Sequence, residues 1–423
     1  MYGFLSYSEH VSPPPSRPPK TAPNAFDQSV SARLFHLIGH GLLRDPAIAE
    51  TPAGTHISVG GESLLHLCSN NYLGLADDPE IRHALATAAS VWGGAGASRL
   101  VSGSTRPHRS AEEALASYVQ LQDARVFSSG YAANVGAISA FLGPGDVVFS
   151  DALNHASLID GCRLSRAKVV VYPHLDMDAL ERLLREHRPA GRAALIVSDA
   201  VFSMDGDLAP LRKLRHLADA HAAGLLIDEA HALGVIGSAG MGLSAALGIR
   251  PDILTGMLGK SFGTSGGFVA GSTDACRLLE STARSYVFST AMHPALAEII
   301  PYLVHRLRSA DGARAQLRRH IRTLAQAIEH DLPEDDDLLS PILPLIIGEN
   351  AAALSVAQRL KDHGIFIRAI RPPTVPVGTA RLRIVPIATH SEEDIAHAAR
   401  ALHTAAVDAR TLFRSPNARA SRA

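Results

Sequence analysis

The sequence predicts an α/β protein: a mostly parallel sheet covered on both faces by helices, followed by a smaller α+β unit. Three observations carry this. Between residues 125 and 271 short β-rich runs alternate with helical stretches, the pattern of strands joined by helical crossovers. From about residue 295 the alternation gives way to a long polar helix and then a mixed strand and helix run. The 423 residues are 46% apolar and 19% charged, enough for a sizeable core in two or three structural units.

Helical patterns at 80–91 and 111–122 come first. Strands are expected at 125–129, 146–150, 168–172, 194–198, 224–228, 253–258 and 266–271, with helices at 131–141, 156–165, 176–187 and 210–222 between them. The second unit reads as one helix over 295–329, a strand at 342–347, a helix at 351–363, strands at 365–370 and 380–385, and a helix at 391–406. Ser391 and Asp394 have the spacing of a capping box at that last start. Pro13, Pro14, Pro15, Pro18, Pro19 and Pro23 block helix and sheet near the N-terminus, so a disordered leader is expected there, and the tail from about Ser415 is expected to be loose.

Charge and cysteine content exclude several classes. Lys plus Arg is 40 and Asp plus Glu is 41, a formal net charge of −1, so there is no global attraction to nucleic acid or anionic lipid. No apolar run reaches the ~18 residues of a membrane span, and no secretory signal opens the chain. The expectation is a cytoplasmic protein with reduced thiols. Cys68, Cys162 and Cys276 are too few and scattered for a disulfide framework or a cysteine-rich metal site, so no metal is expected. Any chemistry then rests on His, Lys, Asp and Arg, or on an organic cofactor.

Four stretches carry candidate chemistry. Ser128-Ser129-Gly130-Tyr131 follows a strand and opens a helix, and free N–H groups at a helix start suit a phosphate; an ordinary strand–turn–helix has the same pattern. Asp228-Glu229-Ala230-His231 ends the apolar run 224–227, where open parallel sheets gather ligands. A helicase reading of that tetrapeptide needs an upstream phosphate loop, whereas the Gly259-Lys260-Ser261 triplet lies downstream and Leu254 stands where the first glycine belongs. Lys260 sits between small and apolar residues, where an ammonium is costly. A surface-turn lysine is the plain reading; a Schiff-base lysine, neutralised by condensing with an aldehyde, is the sharper one. Asp228 then gains a task, pairing with a pyridinium nitrogen, and His155 could stack on the ring. Finally, the run from Ile370 to Arg383 leads into a strand on which Arg381 and Arg383 share a face, and an arginine there could grip a carboxylate.

In this order the stretches resemble the α-oxoamine synthase family of fold-type-I pyridoxal phosphate enzymes. The resemblance runs from about Ser69 to His403 and rests on Ser69-Asn70-Asn71-Tyr72-Leu73-Gly74-Leu75, Ser98-Arg99-Leu100-Val101-Ser102-Gly103, Asn154-His155-Ala156-Ser157-Leu158, Val201-Phe202-Ser203-Met204-Asp205-Gly206-Asp207, the Lys260 loop and the Arg371-Pro372-Pro373-Thr374 phrase. It implies an aspartate-aminotransferase-like large domain and a small C-terminal domain. The boundaries expected are a leader 1–28, an N-terminal segment 29–75 packing with the small domain, a cofactor domain 76–305, a small domain 306–412 and a tail 413–423. It implies pyridoxal 5'-phosphate as cofactor, bound covalently by Lys260, which would also move the proton. Asp228 would face the pyridine nitrogen, His231 the ring hydroxyl oxygen and His155 the ring face, with Ser203 beside it. Ser129, Gly130 and Tyr131 would help hold the phosphate, joined by Ser289 and Thr290 from a neighbouring subunit, which implies a homodimer. Arg383 and Asn70 would hold the amino-acid carboxylate, and Arg44, Arg371 and Thr374 would serve substrate binding, the arginines near the acyl chain.

The activity so implied is an acyl transfer: decarboxylative condensation of L-alanine with a pimeloyl thioester, of coenzyme A or a carrier protein, to 8-amino-7-oxononanoate in biotin synthesis. Other members of the family use glycine or serine (2-amino-3-ketobutyrate CoA ligase, 5-aminolevulinate synthase and serine palmitoyltransferase), or serve specialised metabolism. A non-catalytic homologue is a different class of reading. The chain departs from the family at Met257, where a threonine usually meets the phosphate, and at Asn71, Asp199 and His293, where Asp, Glu and Pro are usual. Met257 implies weaker phosphate anchoring or a shift of that task to Ser129 and Thr290.

Overall fold

The computed structural model describes residues 24–188 and 190–413, which fall in two units, Met1–Pro46 and Ala47–Ala423. The first unit holds a helix, Ala25–Gly39, whose exposed first turn is capped by Asn24 accepting from the Asp27 amide at 2.9 Å. That helix starts inside the stretch 1–28 expected to be a leader, because an Asn cap directly follows the last proline of the cluster. The proline cluster itself and the expected loose tail from Ser415 lie outside the described residues.

Among the described residues the second unit contains thirteen strands: β1 His56–Val59, β2 Glu62–His66, β3 Asp123–Phe127, β4 Val147–Asp151, β5 Lys168–Tyr172, β6 Ala194–Asp199, β7 Gly224–Asp228, β8 Ile253–Met257, β9 Gly267–Gly271, β10 Leu343–Gly348, β11 Ile365–Phe366, β12 Ala369–Ile370 and β13 Ala380–Ile384. Seven form the central sheet in the order β3-β9-β8-β7-β6-β4-β5. Only β9 runs against its neighbours, so the sheet is mostly parallel as expected. Six of its strands are buried almost throughout because helices cover both faces, while the edge strand β5 leaves Lys168, Val169 and Val171 exposed; Phe149, Ile196 and Ile227 lie in the core. Register sets Asp199 beside Asp228 at the carboxyl ends of β6 and β7, and Asp228 beside Thr255 of β8. This rim is where an open parallel sheet binds ligands.

Two small sheets complete the unit. β10, β13 and β12 form one, and β1, β2 and β11 the other. The single strand expected over 365–370 is thus two short ones: β11 pairs with β2 and β12 with β13 as the chain changes sheets. The single helix expected over 295–329 is also two, Pro294–Arg308 and Asp311–Ile328. Arg314 explains the break. Its buried guanidinium donates to the Leu307 carbonyl at 2.7 Å and to Asp311 at 2.6 Å, capping the first helix end from inside the second. The capping box at the last helix, Glu392–Phe413, is present: Ser391 N–H donates to Asp394 at 3.1 Å, and Asp394 N–H donates to the Ser391 hydroxyl at 3.0 Å.

Candidate active site

Lys260 lies three residues beyond β8, in a turn closed by the Gly263 amide donating to the Lys260 carbonyl at 2.9 Å. Gly263 has φ +69°, and a Cβ there would sit 2.5 Å from the Ala76 nitrogen, so only glycine lets this turn press against residues 75–76. Lys260 Nζ is 3.0 Å from His231 Nε2, and His231 Nδ1 is 2.5 Å from the Tyr72 oxygen. Tyr72 lies 3.2 Å from Asn70 Oδ1, which also accepts from Arg383 Nη1 at 3.0 Å. Arg383 donates further to the Tyr72 oxygen at 3.4 Å and to the Ser203 carbonyl at 2.5 Å.

One directional assignment satisfies the whole run. Lys260 donates to His231 Nε2, His231 Nδ1–H donates to Tyr72, and the Tyr72 hydroxyl donates to Asn70. Burial, with Lys260 and Arg383 nearby, holds His231 well below its ordinary range, so the ring is neutral as the assignment requires. Burial also lowers Lys260 to about 8, against the opposing pull of Asp228 and Asp199. A lysine amine close to neutrality is a nucleophile and a base.

Asp228 ends β7, buried, and accepts from Asn134 Nδ2 at 2.7 Å and from the Ala230 amide at 2.9 Å. The same Asn134 amide reaches the Ser157 hydroxyl at 2.9 Å. His155 caps the helix Ala156–Leu164, with Nδ1 2.7 Å from Ser157 Oγ, and its backbone N–H donates to Asp199 at 2.7 Å. Burial and the adjacent Asp228 carboxylate push Asp199 well above the usual carboxylate range, while burial lowers His155.

At the far end of the rim the helix Gly130–Phe141 presents its N-terminus, with Ser129 as cap accepting from the Ala132 amide at 3.1 Å. Tyr131 turns away to a hydrogen bond with Asp160 and is half-exposed. A cavity of about 570 Å³ opens here, lined by Ser129, Tyr131, Asp160, Arg163 and Ser285. Met257 ends β8 with its sulfur 1.3 Å from where a Cβ on Gly130 would lie, so a thioether covers the glycine that opens the helix. Thr255, two residues back, is buried with its hydroxyl unpaired and does not take the place of a phosphate ligand. Thr290 is exposed and bridges to Ser98, with Ser289 next to it, rather than joining Ser129.

The structure therefore brings together Lys260, His231, Asp228, His155, Asn70, Ser203 and Arg383. Tyr72 and Asn134, given no role above, join the two runs of hydrogen bonds, both buried; Asn134 is a polar side chain in a mostly apolar helical stretch, which marks it, whereas Tyr72 follows Asn70 and Asn71 and carries no such mark. Arg371 and Thr374 share a turn, the Thr374 amide donating to the Arg371 carbonyl at 3.1 Å, after which the chain enters β13. Arg44 lies in the first unit, after the helix Ala25–Gly39. The donor set fits pyridoxal phosphate: an amine for the aldehyde, a buried carboxylate for the ring nitrogen and a helix N-terminus for the phosphate.

Comparison with known proteins agrees. The family model of aminotransferase class I and II matches residues 62–402. An 8-amino-7-oxononanoate synthase of Geobacter sulfurreducens is 44% identical over 380 residues, covering 89% of this chain and 97% of the relative. One from Herminiimonas arsenicoxydans is 45% identical, covering 89% and 99%. Among solved structures, the serine palmitoyltransferase of Sphingomonas wittichii superposes with a TM-score of 0.83 at 31% identity, covering 91% and 98%. The 8-amino-7-oxononanoate synthase of Francisella tularensis gives 0.69 at 26%, covering 83% and 99%.

Proposed function

The chain belongs to the aminotransferase class I and II family, in its 8-amino-7-oxononanoate synthase branch, and on that premise we propose that it condenses L-alanine with a pimeloyl thioester. Alanine gives up its Cα proton, that carbon forms a C–C bond to the acyl carbon as the thiol leaves, and after the carboxylate departs as CO2 a proton returns to the same carbon. The product is 8-amino-7-oxononanoate, in biotin synthesis. Pyridoxal 5'-phosphate is the cofactor; when bound it supplies an aldehyde for amines and a ring that withdraws electrons from the substrate Cα.

The chain's own residues then divide the work. Lys260 would hold the cofactor through Nζ, and its amine, lowered to about 8 by burial, would take the substrate's Cα proton. Asp228 offers the ring nitrogen a carboxylate, held still by Asn134 and the Ala230 amide. His155 would face the ring with Ser203 beside it, and His231 passes its hydrogen-bond direction from Lys260 to Tyr72. Arg383 and Asn70 fix the substrate carboxylate, and so the direction of the Cα–H bond. Ser129, Gly130 and Tyr131 would help hold the phosphate; a second copy of the chain would complete that end with Ser289 and Thr290, making a homodimer. Arg371 and Thr374 flank the acyl chain. Among the described residues no helix is long and apolar enough to cross a membrane; three free cysteines support the reading of a cytoplasmic protein with reduced thiols.

The observation that carries this reading is the unbroken hydrogen-bonded run from Lys260 to Arg383, which ties the proton-moving amine to the carboxylate-gripping guanidinium. The test is thiol release with pimeloyl-CoA, comparing L-alanine, glycine and L-serine. Release with alanine, and a product of the expected mass, supports it; release only with glycine or serine overturns the choice of substrate.

A further inference from the structure

We propose that His174 is a positioning residue for the substrate carboxylate, clamping the turn 202–207 from which Arg383 is aimed. The inference rests on the role given to Arg383 above. His174 follows β5 and lies between two carboxylates: Nδ1 is 2.9 Å from Asp151 Oδ1 and Nε2 is 2.6 Å from Asp207 Oδ2. Only an imidazolium donates from both nitrogens. Burial disfavours that charge, but the two carboxylates prevail and raise His174 to about 10. The ring also meets Phe202 edge-on, with centroids 4.5 Å apart.

The two carboxylates differ in how firmly they are held. Asp151 ends β4, is buried, and accepts from the amides of Leu153 at 2.8 Å and Leu175 at 3.0 Å. It is a fixed part of the large sheet. Asp207 belongs to a turn outside the sheet, closed by the Phe202 amide donating to the Asp207 carbonyl at 3.0 Å and the Gly206 amide donating to the Phe202 carbonyl at 2.8 Å. His174 is the cation that carries the position of the first to the second.

The opposite side of the same turn receives β13. Arg383 Nε donates to the Ser203 carbonyl at 2.5 Å, and Arg381 pairs with Asp205. The turn is thus gripped by an imidazolium on one side and two guanidinium groups on the other. Without the imidazolium, Asp151 and Asp207 face each other uncompensated, the turn shifts, and the Ser203 carbonyl no longer aligns the guanidinium that Asn70 and Tyr72 contact. None of the hydrogen bonds of His174 reaches Lys260, Asp228 or His231, so its main effect falls on substrate carboxylate binding.

The test uses the holoenzyme and compares the dissociation constants of L-alanine and of ethylamine, which lacks the carboxylate, by spectral titration. His174→Gln is expected to weaken alanine about tenfold and leave ethylamine within about twofold, because a displaced guanidinium costs only the ligand it grips. Asp207→Asn keeps the His174–Asp151 pair and serves where the first variant does not fold; it is expected to show the same preference at about threefold. Unchanged alanine binding, or equal losses for both ligands, overturns the proposal. Arg383→Lys is run beside them. If that variant discriminates between the ligands and His174→Gln does not, the inference alone falls; if Arg383→Lys does not discriminate, the role of Arg383 falls and the inference with it.

Discussion

The two ends of the cofactor rim are built in opposite ways. At the ring end lie two partly to fully buried hydrogen-bonded runs, Lys260–His231–Tyr72–Asn70–Arg383 and Asp228–Asn134–Ser157, in which Asn134 Oδ1 has no partner. At the other end, by the start of the helix Gly130–Phe141, Ser129 is exposed, Tyr131 points to Asp160, and Met257 lays a thioether over Gly130. Buried polar groups are costly unless satisfied, so the ring end is fixed within one chain. On the proposed assignment the phosphate would be held by backbone amides at a helix N-terminus, which any side chain leaves in place, so that end tolerates methionine.

Substitutions can break this contrast, the largest first. Lys260→Ala should lower turnover by about 10⁴-fold, and borohydride reduction should no longer fix the cofactor to the protein, as mass spectrometry would read. Retained covalent labelling would remove Lys260 from its place. Asp228→Asn should cost on the order of 10²–10³ in turnover while the cofactor stays bound after dialysis, since it weakens the electron sink and leaves the phosphate end intact. Arg383→Lys should raise KM for alanine roughly 10- to 100-fold through loss of a charged, forked hydrogen bond; a loss confined to kcat would speak against carboxylate binding.

Two smaller effects sharpen the comparison. The apo-protein should capture the aldehyde at a rate rising tenfold per pH unit below about 8 and flattening above, because burial lowers Lys260 to about 8 and only the neutral amine attacks. An inflection at the ordinary lysine value of 10.5 would contradict the burial argument. Met257→Thr should tighten cofactor binding roughly 5-fold by equilibrium dialysis, the worth of one hydrogen bond to an anion; unchanged affinity would mean that backbone amides already saturate the phosphate.

Much of the scaffold was legible from the chain. The central strands and their crossover helices lie within about two residues of the spans read from apolar runs, because a strand buried on both faces must be apolar along its length. Asp228 and Lys260 were legible for the converse reason: a charge at the end of such a run needs a task. The split of 295–329 was not, since the break is made by Arg314 reaching back to a carbonyl of the preceding helix, and helical periodicity continues across it. The hairpin β1–β2 went unread because its strands are short and half-exposed.

What the sequence determined by itself is the order of strands and helices and the identity of the reactive groups, since both depend on local pattern and residue chemistry. What only the tertiary structure decided is which groups act together. Tyr72 and His231 are 159 positions apart, and Arg383 meets Asn70 across 313. His174 finds Asp151 on one strand end and Asp207 on a turn that no periodicity marks. Such pairings follow from where folding brings distant strand ends, and the energy of a buried, satisfied hydrogen bond is then what keeps them there.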